Sequence, residues 1–142
     1  ADESGAVLEE LLRAEGHEVL RCVVPDDRSE IAAAIEALTD EVELVLTTGG
    51  TGVAPRDVTP EATASVVERQ IPGMSEAIRA DAVARTPHGM LSRGIAGVRG
   101  GALVVNLPGS PGGCRDGFAV VREALTHAVR LVAGEQGGHR QT

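Results

Sequence analysis

The segment from Thr47 to Thr63, which reads TTGGTGVAPRDVTPEAT, constrains the fold of this chain more than any other segment. An apolar run, Leu44 to Leu46, precedes it, and a loop of small residues, Gly49 to Gly52, interrupts it. A strand that ends in such a loop brings backbone N–H groups close to an anion, because no Cβ stands in the way. The sequence therefore predicts a strand, an anion-binding loop and a helix with Thr59 as its N-cap.

Helical and extended patterns alternate along the chain. Extended segments are predicted at 17–24, 43–48, 95–98 and 102–106, and helices are predicted to begin at Ser4, near Asp27 or Ser29, at Thr59, after Pro72 and at Pro111, the last of them ending at Val132. This alternation predicts an α/β chain with a mainly parallel sheet, and 142 residues are expected to form a single domain, 1–142. Ligand-binding loops are expected at the carboxyl ends of its strands.

Charge and composition exclude several classes of function. The formal net charge of -8 argues against nucleic acid as a partner, because phosphate backbones are bound by basic surfaces. The chain contains no Lys, so the glycine loop cannot be a P-loop, whose lysine reaches the phosphates. No apolar run approaches the ~18 residues of a membrane span. A cytoplasmic protein that associates with neither nucleic acid nor membrane is expected.

Two aspartates are candidates for chemistry. Asp57 follows the glycine loop, and Asp26 ends a predicted strand beside Asp27. Asp57 also suits the cap of the turn before Thr59, and Asp27 suits the cap of the next helix, so only one acid of that pair is needed there. Because Mg²⁺ is typically held by one or two carboxylates with substrate phosphates and water, Asp26 and Asp57 form a reasonable magnesium site.

A second loop, Asn106 to Gly113, joins a strand to the last helix. Its N–H groups, the Ser110 hydroxyl and the helix dipole suit a second anion site, and a Pro/Gly-stiffened connector is an equally good interpretation. Arg93 suits either a phosphate contact or a solvated surface, and Glu76 with Arg79 is most simply a surface ion pair. Two phosphate-binding loops at one sheet edge suit two phosphorylated substrates.

Together these segments resemble the molybdopterin adenylyltransferase (MogA/MoaB-like) family. The matching motifs are Asp2-Glu3-Ser4-Gly5, Pro25-Asp26, TTGGTGVAPRDVTPEAT (47–63), PGMSEAIR (72–79), MLSRGIAGVRG (90–100) and NLPGSP (106–111). The resemblance implies a three-layer α/β/α sandwich and adenylyl transfer from Mg²⁺-ATP to the terminal phosphate of molybdopterin, in molybdenum cofactor biosynthesis. Members of the family begin with an apolar strand and a Ser-Asp turn that have no counterpart here, so the first strand is expected to be missing.

The resemblance also implies roles for individual residues. Asp26 and Asp57 match two functional aspartates of the family and are the candidate catalytic and magnesium-binding groups, and Ser4 and Gly5 are the candidates for binding ATP. Family members assemble as trimers or hexamers, so a homo-oligomer is expected. The candidate substrate-binding residues are Thr48, Gly49, Gly50, Thr51, Gly52, Ser92, Arg93, Pro108, Gly109 and Ser110.

Two other functions stay open. The first is a paralogue that binds molybdopterin or its precursor without turnover, which the absent strand favours and the presence of both aspartates disfavours. The second is a nucleotide pyrophosphatase of the competence-damage type, which shares a GGTG loop. The TPEAT continuation and the NLPGSP loop argue against this second alternative.

Overall fold

The computed structural model describes residues 2–134, so Ala1 and the end of the predicted domain, 135–142, lie outside the described part. None of the helices in 2–134 combines the length and the apolar character that a bilayer crossing requires. In chain order the elements are α1 (Glu3–Ala14), α2 (Arg28–Thr39), β1 (Leu44–Thr48), α3 (Thr59–Val66), β2 (Arg69–Gln70), α4 (Pro72–Arg85), a 3₁₀ helix (Pro87–Leu91), β3 (Ala96–Arg99), β4 (Ala102–Leu107) and α5 (Pro111–Val132).

The four strands form one sheet in the order β1-β4-β3-β2. β1 runs parallel to β4, whereas β3 is antiparallel to both β4 and β2. The prediction of a mainly parallel sheet was wrong for the described residues, where the sheet is mixed. The reason is local: only Gly100 and Gly101 separate β3 from β4, and so short a turn can only join antiparallel strands. Gly100 supplies the left-handed conformation that this turn needs, with φ of 57°.

Helices cover both faces of the sheet, which confirms the predicted three-layer α/β/α arrangement. Successive residues of β4 point to opposite faces, and all of β4 is buried. Leu103 and Val105 pack with α1, α4 and α5, whereas Val104 packs with α2 and α3. The helical residues of the first core are Leu8, Ile78, Cys114, Phe118, Val121 and Leu125, and those of the second are Ile31, Ile35, Ala62 and Val66.

The helix starts show where local sequence rules succeed and where they fail. α5 has the predicted bounds, and Asp27 caps α2 by accepting a hydrogen bond from the Glu30 N–H at 3.0 Å. The prediction of Ser4 as the cap of α1 was wrong, because Asp2 lies two residues earlier and accepts the hydrogen bond from the Gly5 N–H at 3.1 Å. Thr59 is the first residue of α3 rather than its cap.

The segment 17–24 is not a strand in the structure, so that prediction was wrong. A strand needs a hydrogen-bonded neighbour. Within residues 2–134, β1 pairs with β4 on one edge only, and β1 and residues 17–24 line the same cleft. Among the described residues no backbone hydrogen bond joins β1 to the segment 17–24, and Leu20 and Val23 are exposed.

Replacement of Leu103 by Ala tests the central position of β4. Leu103 is fully buried in the larger core, so we expect Leu103→Ala to lower the free energy of unfolding by about 2–5 kcal/mol. Leu131→Ala is the matched control, because Leu131 is 43% exposed and its loss should change stability by less than about 1 kcal/mol. Urea denaturation of both variants measures the difference, and equal midpoints would contradict the proposed core.

Candidate anion-binding site

The parallel pairing of β1 with β4 brings two loops together. Thr48 and Leu107 are partners at the ends of these strands, so the loops that follow begin side by side. The Thr48 hydroxyl donates to the Pro108 carbonyl at 2.8 Å, and the Gly49 N–H donates to the Leu107 carbonyl at 3.2 Å. These contacts confirm the prediction that both glycine-containing loops lie at one edge of the sheet.

At this edge of the sheet the chain segments approach so closely that a side chain at Gly50 or Gly109 would clash. Gly49 and Gly50 have φ of 97° and 70°, in the left-handed region that favours glycine. A Cβ on Gly50 would lie 2.3 Å from the Thr59 hydroxyl oxygen, and a Cβ on Gly109 would lie 2.9 Å from the Gly49 Cα. The two loops therefore meet through bare backbone, which is the surface on which N–H groups can reach a phosphate oxygen.

Asp57 closes the end of the first loop on itself. Its Oδ2 accepts a hydrogen bond from the Ala54 N–H at 3.0 Å, while its own N–H donates to the Ala54 carbonyl at 2.9 Å. The same oxygen lies so close to Gly52 that a Cβ there would be 2.9 Å away. Asp57 thus forms a turn, as one interpretation of the sequence held, and among the described residues its other carboxylate oxygen accepts no hydrogen bond.

Arg93 holds this loop to α3. Its Nε donates to the Gly52 carbonyl and its Nη2 to the Asp57 carbonyl, both at 2.7 Å. Its Nη1 donates to a Glu61 carboxylate oxygen at 2.5 Å, and this ion pair holds the pKa of Glu61 below its ordinary value. We call Arg93, with these three partners, the loop clamp. The guanidinium that the sequence offered for phosphate binding is directed at the protein's own loop.

Sequence reasoning placed Asn106 at the start of the second loop but missed its role as a buried hydrogen-bonding group at the end of β4. Its Oδ1 accepts a hydrogen bond from the Ile95 N–H at 3.0 Å, and its Nδ2 donates to the hydroxyls of Thr47 at 2.9 Å and Thr63 at 3.1 Å. The amide therefore joins β1, β4, α3 and the entry to β3 under the glycine loop. An amide at the end of an otherwise apolar strand was the available signal, because buried amides require partners.

Asp26 lines a cleft of about 620 Å³, and Gly49, Gly50 and Thr59 also line it. Much of the remaining wall is apolar, with side chains of α1, α2, β1 and α5. Asp26 is exposed, and Asp57 is not among the described residues that line this cleft. Within residues 2–134 no group of three or more potential metal ligands is found, so these two carboxylates remain separate candidates.

Ser4 and Gly5 lie in the buried first turn of α1. The Ser4 carbonyl lies 3.8 Å from the Cys114 sulfur, at the start of α5, and Gly5 lines the cleft. Burial raises the pKa of the Cys114 thiol, so it stays protonated at neutral pH. The first turn of α1 is thereby packed beside the beginning of α5, the helix that follows the second loop.

The remaining candidates have mixed positions. Thr51 is buried, and its carbonyl accepts a hydrogen bond from the Arg93 N–H at 2.7 Å. The Ser92 carbonyl accepts one from Arg79 at 3.1 Å. Ser110 is exposed and caps α5, its hydroxyl accepting from the Gly113 N–H at 3.0 Å. Of these three, only Ser110 lies open to solvent at a helix N-terminus, as an anion ligand would require.

A sequence model of the family described as the probable molybdopterin binding domain matches residues 1–127. This chain belongs to that family. It is similar to the molybdenum cofactor synthesis protein cinnamon of Drosophila melanogaster, with 38% identity over 145 residues that cover 99% of this chain and 24% of that protein. It is 40% identical to the molybdopterin adenylyltransferase of Helicobacter pylori over 114 residues, which cover 79% of this chain and 65% of that enzyme.

Solved structures show the same fold. The molybdopterin biosynthesis enzyme MoaB of Thermus thermophilus superposes with a TM-score of 0.87 and 42% identity, covering 94% of this chain and 86% of that one. The chain nevertheless spans only about a quarter of the Drosophila relative and 65% of the Helicobacter relative. The comparisons therefore establish the molybdopterin-binding family and its fold for the part of the relatives that is matched.

The contact between the two loops of this molybdopterin-binding domain can be tested at Gly109. In Gly109→Ala the new Cβ would lie 2.9 Å from the Gly49 Cα, so the loops must separate, and we expect the free energy of unfolding to fall by about 1–3 kcal/mol. Gly112→Ala is the control, because no heavy atom lies within 4 Å and the position is helical. That variant should gain up to about 1 kcal/mol, and two equal denaturation curves would contradict the close approach.

Proposed function

We propose that this chain transfers an adenylyl group from Mg²⁺-ATP to the terminal phosphate of molybdopterin, giving adenylylated molybdopterin and pyrophosphate as a step of molybdenum cofactor biosynthesis. The direct contact of the Gly49–Gly52 loop with the Pro108–Ser110 loop carries this proposal. Two adjoining loops of accessible backbone suit two phosphorylated substrates whose phosphates must meet. The activity named for the Helicobacter relative, at 40% identity, points in the same direction.

The chemistry makes modest demands on side chains. An oxygen of the molybdopterin phosphate attacks the α-phosphorus of ATP, a new P–O bond forms, and the bond to the β-phosphate oxygen breaks so that pyrophosphate leaves with its electrons. A phosphate oxygen is already an anion at neutral pH and needs no strong base. Positioning and neutralisation of charge therefore account for catalysis, and backbone N–H groups of both loops, with the Ser110 hydroxyl, are the proposed donors.

Asp26 and Asp57 are the proposed carboxylate ligands of a magnesium ion. Mg²⁺ prefers carboxylate oxygens and keeps sites for water and phosphate. Asp57 has one carboxylate oxygen that accepts no hydrogen bond from the described residues, and Asp26 is exposed and lines the cleft. When bound, the ion would neutralise charge that develops on the phosphates. Ser4 and Gly5 are the proposed residues on the ATP side, because Gly5 lines the same cleft as Asp26.

We further propose that the domain works as a homo-oligomer, a trimer or a hexamer, in the cytoplasm. Its small-molecule partners are molybdopterin and ATP. The acidic net charge of -8 favours neither a nucleic acid nor an anionic membrane surface as an additional partner.

Replacement of Asp57 by Asn tests the reaction. The substitution removes one negative charge with little change of shape, and the amide oxygen can still accept the hydrogen bond from Ala54, so folding and pterin binding should persist. We expect turnover to fall by at least about a hundredfold. The measurement is an anaerobic incubation with molybdopterin and Mg²⁺-ATP, in which adenylylated pterin is followed by mass spectrometry.

Asp40→Asn is the control for this experiment, because Asp40 is exposed after the end of α2. Full turnover in Asp57→Asn would remove the role assigned to Asp57. Pterin binding without product in the unchanged protein would favour the binding paralogue. If pyrophosphate-linked nucleotides were hydrolysed instead, the pyrophosphatase would be the correct function.

The role of Asp26 predicts a changed magnesium dependence. Because Asp26→Asn removes one of the two proposed carboxylate ligands, we expect half-maximal turnover to need about tenfold more Mg²⁺, with a matching loss of affinity in calorimetric titrations of Mg²⁺ in the presence of ATP. Asp27→Asn is the neighbouring control, since Asp27 caps α2 with its side chain. An unchanged magnesium requirement in Asp26→Asn would count against Asp26 as a ligand.

A further inference from the structure

Arg79 does not form the surface ion pair with Glu76 that the sequence suggested. It extends from α4 to the segment 92–94, where its Nη1 donates to the Ser92 carbonyl at 3.1 Å and to the Gly94 carbonyl at 3.0 Å. Its side chain is half-buried. A charged donor that satisfies two carbonyls two residues apart fixes the backbone between them, and charge-assisted hydrogen bonds are stronger than neutral ones.

The residue between those two carbonyls is Arg93, which faces the other way. Its backbone N–H donates to the Thr51 carbonyl, and its guanidinium donates to the carbonyls of Gly52 and Asp57. Each of these three hydrogen bonds measures 2.7 Å. Arg79 therefore holds the segment from which the loop clamp reaches the glycine loop, and among the described residues its side chain donates hydrogen bonds only to that segment.

These contacts, from Arg79 through residues 92–94 to Arg93, fix the conformation of residues 51–57. Within that loop, the hydrogen bonds between Ala54 and Asp57 close the turn that bears the free carboxylate oxygen. Three carbonyls of this loop, those of Thr51, Gly52 and Asp57, accept hydrogen bonds from Arg93, so their anchoring depends on the position of the Arg93 backbone. A shift of the 92–94 backbone would displace the Arg93 side chain and weaken its hydrogen bonds to the loop. The turn between Ala54 and Asp57 would then become less ordered.

We propose that Arg79 is a positioning residue, which holds Ser92–Gly94 so that Arg93 keeps the 51–57 loop and the Asp57 carboxylate in place. The structural part of this inference stands by itself. Its catalytic part rests on the proposed function, because it requires that the position of Asp57 determines the rate.

The first test is amide hydrogen exchange on the unliganded protein. In Arg79→Ala we expect the Ala54 and Arg93 amides to exchange about tenfold faster, because each is held by a hydrogen bond of the loop or of its clamp. The Val104 amide, in the core of the sheet, should exchange as before. Arg79→Lys keeps the charge and most of the stem, but its ammonium ends a shorter side chain than the Arg79 Nη1, so it should show a smaller increase at the same amides.

Arg85→Ala is the matched control on the same helix. Arg85 pairs with Asp81 and Asp116 on the surface, and its side chain is 56% exposed. We expect its exchange at Ala54 and Arg93 to equal that of the unchanged protein. Wild-type exchange at both amides in Arg79→Ala would overturn the inference, and so would an equal increase in Arg85→Ala.

The second test separates positioning from substrate binding. If adenylyl transfer is the reaction, kcat of Arg79→Ala should fall about tenfold or more, while KM for ATP should stay within about threefold, because the substrate-facing groups are unchanged. A kcat equal to that of the unchanged protein, with accelerated exchange, would overturn the catalytic part. If the unchanged protein forms no adenylylated pterin, the proposed function fails, and the exchange measurement still decides the role of Arg79.

Discussion

The parallel pairing of β1 with β4 is the interaction on which the rest of the site depends. Five residue pairs, from Leu44 with Leu103 to Thr48 with Leu107, bring the two strand ends into register. Both glycine-containing loops therefore leave the sheet at one point, where Gly49 and Gly109 approach within backbone contact. β4 can hold this central position because helices cover both of its faces and exclude water from its six buried residues.

Around this pairing, backbone groups and side chains have different roles. The loops present bare peptide groups where phosphates are proposed to bind, and two polar residues that do not line the cleft hold those loops in place. Asn106 joins strands and helix from below, and Arg93 holds the first loop from the side. Such an arrangement suits phosphate transfer, in which preorganised donors stabilise charge without having to move during the reaction.

Local signals in the sequence predicted several elements well. Pro111 after Ser110 marked the start of α5, and Asp27 marked the start of α2, because a cap and a first-turn proline act within a few residues. Prediction failed where a partner distant in sequence was needed. The segment 17–24 has the composition of a strand, yet within residues 2–134 no strand pairs with it. The hydrogen bonds of Arg79 and Arg93 could not be predicted either, because they include backbone carbonyl acceptors, which no sequence motif identifies.

The sequence by itself determined the α/β class, the positions of the two glycine loops and the likeness to the molybdopterin-binding family, because these follow from periodicity, small residues and extended motifs. Only the tertiary structure decided the mixed sheet, the Asn106 network and the direction of the arginines. The physical reason is that hydrophobic pattern and turn chemistry are local, whereas a hydrogen bond from Arg93 to Asp57 joins groups 36 residues apart and exists only after the sheet has brought their segments together.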